Sequence, residues 1–409
     1  MSNSPDIAIF LRCLYGGGAE RILLNLARGF LEQGLKVDMV LAKSVGSLLE
    51  QLPSEIRLVD LNAQSKLSIL PKLIKYLQQE NPATMLAALH YPCEIALLAK
   101  RMSGVSTRIV VSEHNHLSLE AKRIPQLSAR LTPLAARLLY PWADGIVSVS
   151  QGVAADLAKV THLPKERINL IYNPVITPEV FIKAKESVNH PWFQPGEPPI
   201  ILAVGRLHPQ KDYPTLLRAF TQVQQVRPCR LVILGEGPEK ENLNNLICEL
   251  GLQADVAMLG FVDNPYTYMR SAAVFVLSSA WEGFGNVIAE ALAVGTPVVS
   301  TNCESGPAEI LKNGKYGELT PVGDVKAMAE AILSVLSGNT KQVDSEWLNQ
   351  FKLETCTQKY LQVLGIPKTV TSNQLAVTST DGLKSGTHTI TGLKNHEKTL
   401  EATVEKSGF

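Results

Sequence analysis

Short apolar runs alternate with longer segments of helical periodicity along most of the chain. Such runs are IAIFL, LKVDMVLA and RIVVS in the first half and PIILAV, LVIL and VFVL in the second. Turns rich in glycine or polar residues follow the runs, and several lead into apolar residues at helical spacing, as from Ile22 to Phe30. Buried strands that alternate with helices are typical of parallel sheets. The pattern therefore predicts an α/β protein.

A proline-rich segment divides this pattern into two series. Residues 176–198 contain repeated prolines without steady periodicity, which is typical of a linker. We therefore expect one domain at residues 1–175 and a second at residues 199–345, and the length of 409 residues allows each a core of its own. One or two further helices are expected at residues 346–366. The tail, residues 367–409, is rich in Thr, Ser, Gly and Lys and is expected to be disordered.

The most informative stretch, residues 274–303, reads VFVLSSAWEGFGNVIAEALAVGTPVVSTNC. It predicts a strand, a glycine-rich turn, a helix and a second strand. The first N–H groups of a helix that follows such a turn suit a phosphate. The residues predicted to bind it are Gly283, Phe284, Gly285, Asn286 and Val287.

Two acids bracket this turn, Glu282 and Glu290, with seven residues between them. Because carboxylates repel phosphate, their expected partners are the hydroxyl groups of a sugar or a ribose. The alternative is that both are ordinary acids on an exposed helix face.

The spacing of the two acids resembles the E-x7-E signature of retaining glycosyltransferases of the GT-B fold, in particular family 4 and its polysaccharide and lipopolysaccharide type subset. The resemblance continues through GTPVVSTNCESGPAEIL. It implies that Glu282 contacts the donor sugar and Glu290 the ribose. It also implies two Rossmann-like domains that face each other across a cleft, with a C-terminal helix that crosses back to the first domain.

Two cations follow the first strand of the second domain. In PIILAVGRLHPQKDYPTLLRAF, Arg206 and Lys211 come after a glycine turn, where paired cations favour a phosphate over a plain surface role. Family 4 shows a similar G-R-x-x-x-x-K pattern, which implies that both cations contact the donor's diphosphate. The resemblance also suggests Phe261 and Val262 as the residues that hold the base through backbone contacts.

The N-terminal half supplies further candidates. The sequence CLYGGGAER resembles the family's GG loop, which implies that Gly16 and Gly17, with Gly18 as a further candidate, let the backbone approach the donor's diphosphate and the acceptor. A plain tight turn is the alternative, and the run does not fit the dinucleotide pattern G-x-G-x-x-G. His114 follows the strand RIVVS, and SEHN resembles a loop whose histidine approaches the donor sugar. A structural histidine is the alternative.

Composition excludes several classes. The net charge of +1 argues against nucleic acid as a partner, and no apolar run approaches the ~20 residues of a membrane-spanning helix. The six scattered cysteines are expected to be reduced core residues of a cytoplasmic protein. Residues 119–142 mix apolar residues with cations and are interrupted by Pro125 and Pro133. They are either a membrane-surface face or a solvated helix. The cations are Lys122, Arg123, Arg130 and Arg137.

The resemblance implies an enzyme that moves a hexosyl or N-acetylhexosaminyl group, with retention, from a nucleoside-diphosphate sugar to a glycan or lipid-linked acceptor. It favours UDP as the carrier and cell-surface polysaccharide or glycolipid synthesis as the process, in the cytoplasm or at the inner face of the membrane. No D-x-D pair occurs in the chain, so we expect no metal and no cofactor besides the nucleotide sugar. Two alternatives stay open, a sugar-nucleotide epimerase of the same fold and a catalytically silent partner subunit.

Overall fold

Two parallel sheets form the frame of the protein in the computed structural model, which describes residues 4–123 and 127–367. The first sheet has the strand order β3-β2-β1-β4-β5-β6-β7. Its strands are β1 Ile7–Leu11, β2 Val37–Leu41, β3 Arg57–Asp60, β4 Thr84–Ala88, β5 Arg108–Glu113, β6 Gly145–Ser148 and β7 Ile168–Leu170. The predicted tail from residue 368 onward and Pro125 lie outside the described residues.

The second sheet has the order β10-β9-β8-β11-β12-β13, and its strand pairs are parallel as in the first sheet. Its strands are β8 Ile200–Val204, β9 Arg230–Leu234, β10 Val256–Gly260, β11 Val274–Leu277, β12 Val298–Thr301 and β13 Glu318–Thr320. The predicted α/β class with two parallel-sheet domains is confirmed.

Helices cover both sheets. Those of the first domain and the following segment are α1 Gly18–Glu32, α2 Lys66–Glu80, α3 His90–Ser103, α4 Leu117–Arg123, α5 Leu127–Leu139, α6 Gln151–Thr161 and α7 Pro178–Lys183. Those of the remaining chain are α8 Tyr213–Val226, α9 Lys240–Glu249, α10 Pro265–Ser271, α11 Asn286–Ala293, α12 Pro307–Ile310, α13 Val325–Leu336, α14 Ser345–Leu348 and α15 Leu353–Leu364.

The strand order reverses once in each sheet, between β1 and β4 in the first and between β8 and β11 in the second. At such a reversal the connections leave on opposite faces of the sheet, which opens a crevice beyond the carboxyl ends of the strands. The strands themselves are apolar and buried; all five residues of β1 are fully inaccessible to solvent. The order of these buried strands therefore sets the position of the two crevices.

Helix α15 crosses back and packs on the first domain, as predicted. The Tyr360 hydroxyl lies 3.0 Å from Oγ of Ser112 in β5. Arg108 Nε donates to the carbonyl oxygen of Val363 at 3.0 Å. Gly29 of α1 lies so close to α15 that a Cβ added there would stand 2.2 Å from Thr357 Oγ1. The last helix therefore stabilises the first domain, although it follows the second domain in the sequence.

Two expectations need correction. Pro133 lies inside α5 and does not interrupt it, because a proline removes only one helix hydrogen bond and the buried residue Ala136 anchors the following turn. Cys248 is exposed, whereas the other five cysteines are buried. Among the described residues, no helix combines the length and the apolar character required to cross a bilayer.

Candidate active site

The predicted cations and the glycine loop of the second domain come together at the reversal point of its sheet. Arg206 and Lys211 follow β8, and the glycine loop (residues 282–285) follows β11, the strand adjacent to β8. Ala280 N donates to the carbonyl oxygen of Gln210 at 2.8 Å, so the two connections touch. This is the position at which parallel α/β sheets bind ligands.

Lys211 and Glu282 form a close ion pair. Lys211 Nζ lies 2.5 Å from Glu282 Oε1, and the two side chains are 16% and 8% exposed. Ser279 Oγ donates to the same carboxylate oxygen at 2.6 Å. Because both charges are largely removed from water, each depends on the other for its stability. The pair also fixes the direction of both side chains at the mouth of the crevice.

Arg206, which follows β8 in the same connection as Lys211, is exposed. Burial, together with the positive charges of Arg206 and Lys211, lowers the pKa of His208, so that this imidazole is neutral at pH 7. The two fixed cations in this connection are therefore Arg206 and Lys211. Such an arrangement suits a polyanion such as a diphosphate.

The glycine loop leads into the N-terminus of α11. Gly285 adopts the left-handed conformation, with φ +90°, at the N-cap position. The first N–H groups of a helix have no partner within it, which makes those of Asn286 and Val287 suitable donors to an anion. The ring of Phe284 is buried and stacks on Tyr172, with the ring centroids 5.4 Å apart. Only the backbone of Phe284 can therefore face a ligand.

Glu290 is buried in α11, with 7% of its surface exposed. Burial raises its pKa to about 7, although the guanidinium of Arg21 opposes this shift. Burial would lower the pKa of Arg21, but Tyr266 and Glu290 raise it above its usual value. Arg21 belongs to α1 of the first domain, so the acid predicted to bind a ribose already has a cationic neighbour from across the cleft.

The predicted base-binding residues lie at the end of β10. Phe261 is exposed and Val262 is partly buried. The preceding Gly260 has φ +78°, and its carbonyl oxygen accepts a hydrogen bond from Gly235 N at 2.7 Å. The two residues thus follow the edge strand of the second sheet, and their contact with a base stays a prediction.

The triple-glycine turn (residues 16–18) is occupied by a side chain of its own helix. The N–H groups of Gly16 and Gly17 donate to Glu20 Oε2 at 2.7 and 3.1 Å. A carboxylate thus holds the two donors that a phosphate would use. The predicted contribution of Gly16 and Gly17 is then close approach of the backbone, since Gly16 has φ +108° and neither carries a side chain.

The two domains meet directly at these loops. A Cβ added to Gly283 would stand 1.8 Å from the carbonyl oxygen of His114, and one added to Gly18 would stand 3.3 Å from Asn286 Nδ2. Asn173 of the first domain donates through Nδ2 to Asn286 Oδ1 at 2.8 Å. The glycine loop therefore lies against the end of β5, and the triple-glycine turn lies against the first residue of α11.

His114 is buried at the end of β5. Its Nε2 lies 3.1 Å from Ser112 Oγ, which is also 3.0 Å from the Tyr360 hydroxyl of α15. The imidazole thus takes part in a hydrogen-bond chain toward the C-terminal helix, while its backbone touches the glycine loop. A contact between His114 and a donor sugar stays a prediction.

The predicted membrane-facing cations have different surroundings. Lys122, Arg130 and Arg137 are exposed on α4 and α5. Arg123 is also exposed, but its guanidinium lies 4.3 Å from the ring centroid of Trp281, just before the glycine loop. A cation–π contact of this kind contributes about 0.5–1 kcal/mol at exposed sites. Arg123 therefore links the segment of residues 119–142 to the second domain.

Several residues at this cleft were not identified from the sequence: Glu20, Arg21, Ser150, Asn173 and Trp281. The first two follow the triple-glycine turn directly, and that position could have indicated them. The other three contact residues that are more than a hundred positions away in the chain. No spacing or periodicity in the sequence relates such pairs.

Two family models match the chain. The model of Glycosyltransferase Family 4 matches residues 16–178, and that of Glycosyl transferases group 1 matches residues 185–346. The two matches fall on the two parallel-sheet domains and include both glycine turns.

Two curated relatives align over most of the chain. The N-acetylgalactosamine-N,N'-diacetylbacillosaminyl-diphospho-undecaprenol 4-alpha-N-acetylgalactosaminyltransferase of Campylobacter jejuni is 31% identical over 340 residues, which cover 81% of this chain and 90% of the relative. The lipopolysaccharide core biosynthesis glycosyltransferase LpsE of Rhizobium meliloti is 26% identical over 362 residues, with 85% and 96% covered.

Solved structures share the fold. HepE of Anabaena, crystallised with UDP and glucose, superimposes with a TM-score of 0.72 at 21% identity, covering 88% of this chain and 99% of the other. The lipopolysaccharide outer core galactosyltransferase WaaB gives a TM-score of 0.67 at 21% identity, with 88% and 98% covered. The predicted GT-B architecture is confirmed by these similarities.

Proposed function

We propose, from the premise that the chain belongs to glycosyltransferase family 4, that it transfers a hexosyl or N-acetylhexosaminyl group from UDP to a lipid-linked or growing glycan, with retention of anomeric configuration. The observation that carries the proposal is the buried Lys211–Glu282 pair at the crevice of the second domain, with Arg206 in the same connection as Lys211. The arrangement offers cations to a diphosphate and a carboxylate to a sugar hydroxyl.

The reaction follows from where charge develops. The acceptor hydroxyl oxygen attacks the anomeric carbon, the bond from that carbon to the diphosphate oxygen breaks, and the hydroxyl proton passes to the leaving diphosphate. Negative charge grows on the diphosphate, and the groups proposed to stabilise it are Arg206, Lys211 and the first N–H groups of α11. These fixed cations serve in place of a metal ion.

The carboxylates have separate roles in this proposal. Glu282, held by Lys211 and Ser279, accepts a hydrogen bond from the donor sugar. Glu290 accepts one from the ribose, and bound hydroxyls favour its ionised form. Burial, together with the charge of Glu282, raises the pKa of Cys303 to about 12, so this thiol is neutral and is not proposed as a nucleophile.

The choice of donor and acceptor is supported by the relatives. HepE was solved with UDP and glucose, and the Campylobacter relative is named for a diphospho-undecaprenol-linked substrate. Both fit a crevice whose connection after β8 carries two cations, Arg206 and Lys211, that suit a diphosphate.

A donor screen tests the proposal. UDP-, GDP- and ADP-sugars are each added to the protein in the presence of a chelator, and thermal unfolding is followed; a donor at about 100 times its Kd should stabilise by about 2.7 kcal/mol. Transfer to a diphospholipid-linked sugar is then followed by NMR of the anomeric proton. Inversion would refute retention. Epimerisation of the donor without an acceptor would indicate the epimerase, and binding without turnover the silent subunit.

We also propose that the protein binds anionic membranes through α5. Leu131, Leu134 and Leu138 are exposed at helical spacing on this helix, and Arg130 and Arg137 are exposed on it as well. An apolar stripe flanked by cations is the pattern of a helix that lies in a membrane interface. Such a position would bring the first domain to a lipid-linked acceptor at the inner face of the membrane.

Vesicle binding tests this second proposal. Vesicles of phosphatidylglycerol and phosphatidylcholine should bind the wild-type protein at low salt, and binding should fall as salt is raised, since each cation near the surface contributes about 1 kcal/mol. The single variants Arg130→Gln and Arg137→Gln should each bind less, whereas Lys326→Gln, which removes one exposed cation from α13 of the second domain, is the matched control. Absence of wild-type binding at low salt would refute membrane attachment by this helix.

A further inference from the structure

The first turn of α6 holds the glycine loop of the other domain. Ser150, the N-cap residue of α6, is fully buried. Its Oγ accepts a hydrogen bond from Val153 N at 3.1 Å and donates one to the carbonyl oxygen of Gly283 at 2.7 Å. The Ser150 hydroxyl therefore caps a helix of the first domain and donates a hydrogen bond to a carbonyl group of the second domain.

A carboxylate of the second domain accepts hydrogen bonds from the same turn. Glu309 of α12 accepts hydrogen bonds from the N–H groups of Gln151 at 2.8 Å and Gly152 at 3.2 Å. Gly152 also lies against Ser305, since a Cβ added to it would stand 2.2 Å from Ser305 Oγ. The first N–H groups of a helix favour a negative charge, so this contact stabilises the approach of the two domains.

The bond to Gly283 sets the direction of the next N–H group. The peptide unit between Gly283 and Phe284 is planar and trans, so its carbonyl and N–H groups point in opposite directions. The Phe284 ring is fixed as well, between Tyr172 and Phe351 at centroid distances of 5.4 and 5.7 Å. With the carbonyl held by Ser150 and the ring packed, the Phe284 N–H group has one orientation.

We propose that Ser150 is a positioning residue, which aims the Phe284 N–H group, on the side of the peptide unit opposite Ser150, at the diphosphate of the donor. This inference rests on the proposed function of the glycine loop. Ser150 itself touches no reacting atom in this proposal. Its effect is greatest when the leaving diphosphate gains charge, because a misaimed donor stabilises that charge less.

The test compares two N-cap serines. Ser150→Ala removes a helix cap and the bond to Gly283, whereas Ser65→Ala removes the cap of α2, where Ser65 Oγ accepts from Ser68 N at 3.3 Å. We expect kcat with a UDP-sugar to fall about tenfold or more in Ser150→Ala, with a smaller change in KM, and to stay near wild type in Ser65→Ala. Equal losses in both would mean that only capping matters and would refute the proposal.

A second readout does not depend on turnover. Hydrogen exchange in the peptide that contains residues 282–288 should become faster in free Ser150→Ala protein and stay unchanged in Ser65→Ala. Unchanged exchange in Ser150→Ala, or wild-type kcat in that variant, would overturn the positioning role. If the wild-type protein turns over no sugar nucleotide, the proposed function fails, and the exchange data still decide whether Ser150 holds the loop.

Discussion

Replacing Glu290 with glutamine should stabilise the free protein at neutral and alkaline pH. Glu290 is buried, and burial raises its pKa to about 7, with Arg21 as the opposing influence. The ionised carboxylate is therefore costly in the folded state and costs nothing comparable in the unfolded chain. Glutamine has nearly the same shape and carries no charge, so it should remove this cost.

The magnitude follows from proton linkage. The pKa rises from 4.5 in the unfolded chain to about 7 in the folded protein. Between these values the folded state binds more protons than the unfolded state, so stability falls as pH rises through this window. At 1.36 kcal/mol per pKa unit, the full loss is about 3 kcal/mol, of which about 2 kcal/mol falls between about pH 5.5 and pH 8.

Urea denaturation of wild type and Glu290→Gln at these two pH values measures the effect. The difference in unfolding free energy should shift by about 2 kcal/mol in favour of the variant at the higher pH. Glu241→Gln, which removes an exposed carboxylate from α9, is the control and should show a nearly constant difference. A difference for Glu290→Gln that does not change with pH would refute the burial argument. The same variant should bind UDP more weakly, because it has lost the acceptor proposed for the ribose.

Three further predictions concern the cleft. Lys211→Met should destabilise by about 3–5 kcal/mol because it leaves Glu282 buried without its partner, and Lys211→Met/Glu282→Gln should regain most of that stability in urea denaturation without regaining turnover. Gly283→Ala should lose about 1–3 kcal/mol and most activity, since its Cβ would stand 1.8 Å from the His114 carbonyl oxygen; an unchanged melting temperature would contradict this contact. Arg206→Ala should lower kcat about a hundredfold with little change in melting temperature, because the side chain is exposed; wild-type turnover would remove Arg206 from the proposed site.

The sequence alone determined the sheet class and the edge of the second sheet at which the candidate site residues lie. Its apolar runs are buried strands, as in β8 and β11, and their alternation with segments of helical periodicity is typical of a parallel sheet. Arg206, Lys211 and Glu282 directly follow these strands. Local sequence therefore sufficed to bring them together, because neighbouring parallel strands end at the same edge.

Only the tertiary structure decided how the two domains meet. The contacts of Ser150 with Gly283, of Asn173 with Asn286 and of Arg123 with Trp281 join positions more than a hundred residues apart. Hydrophobic periodicity records which face of an element is buried but not which partner covers it. The occupation of the triple-glycine turn by Glu20 and the raised pKa of Glu290 likewise depend on packing, because burial and close approach are set by the assembled fold.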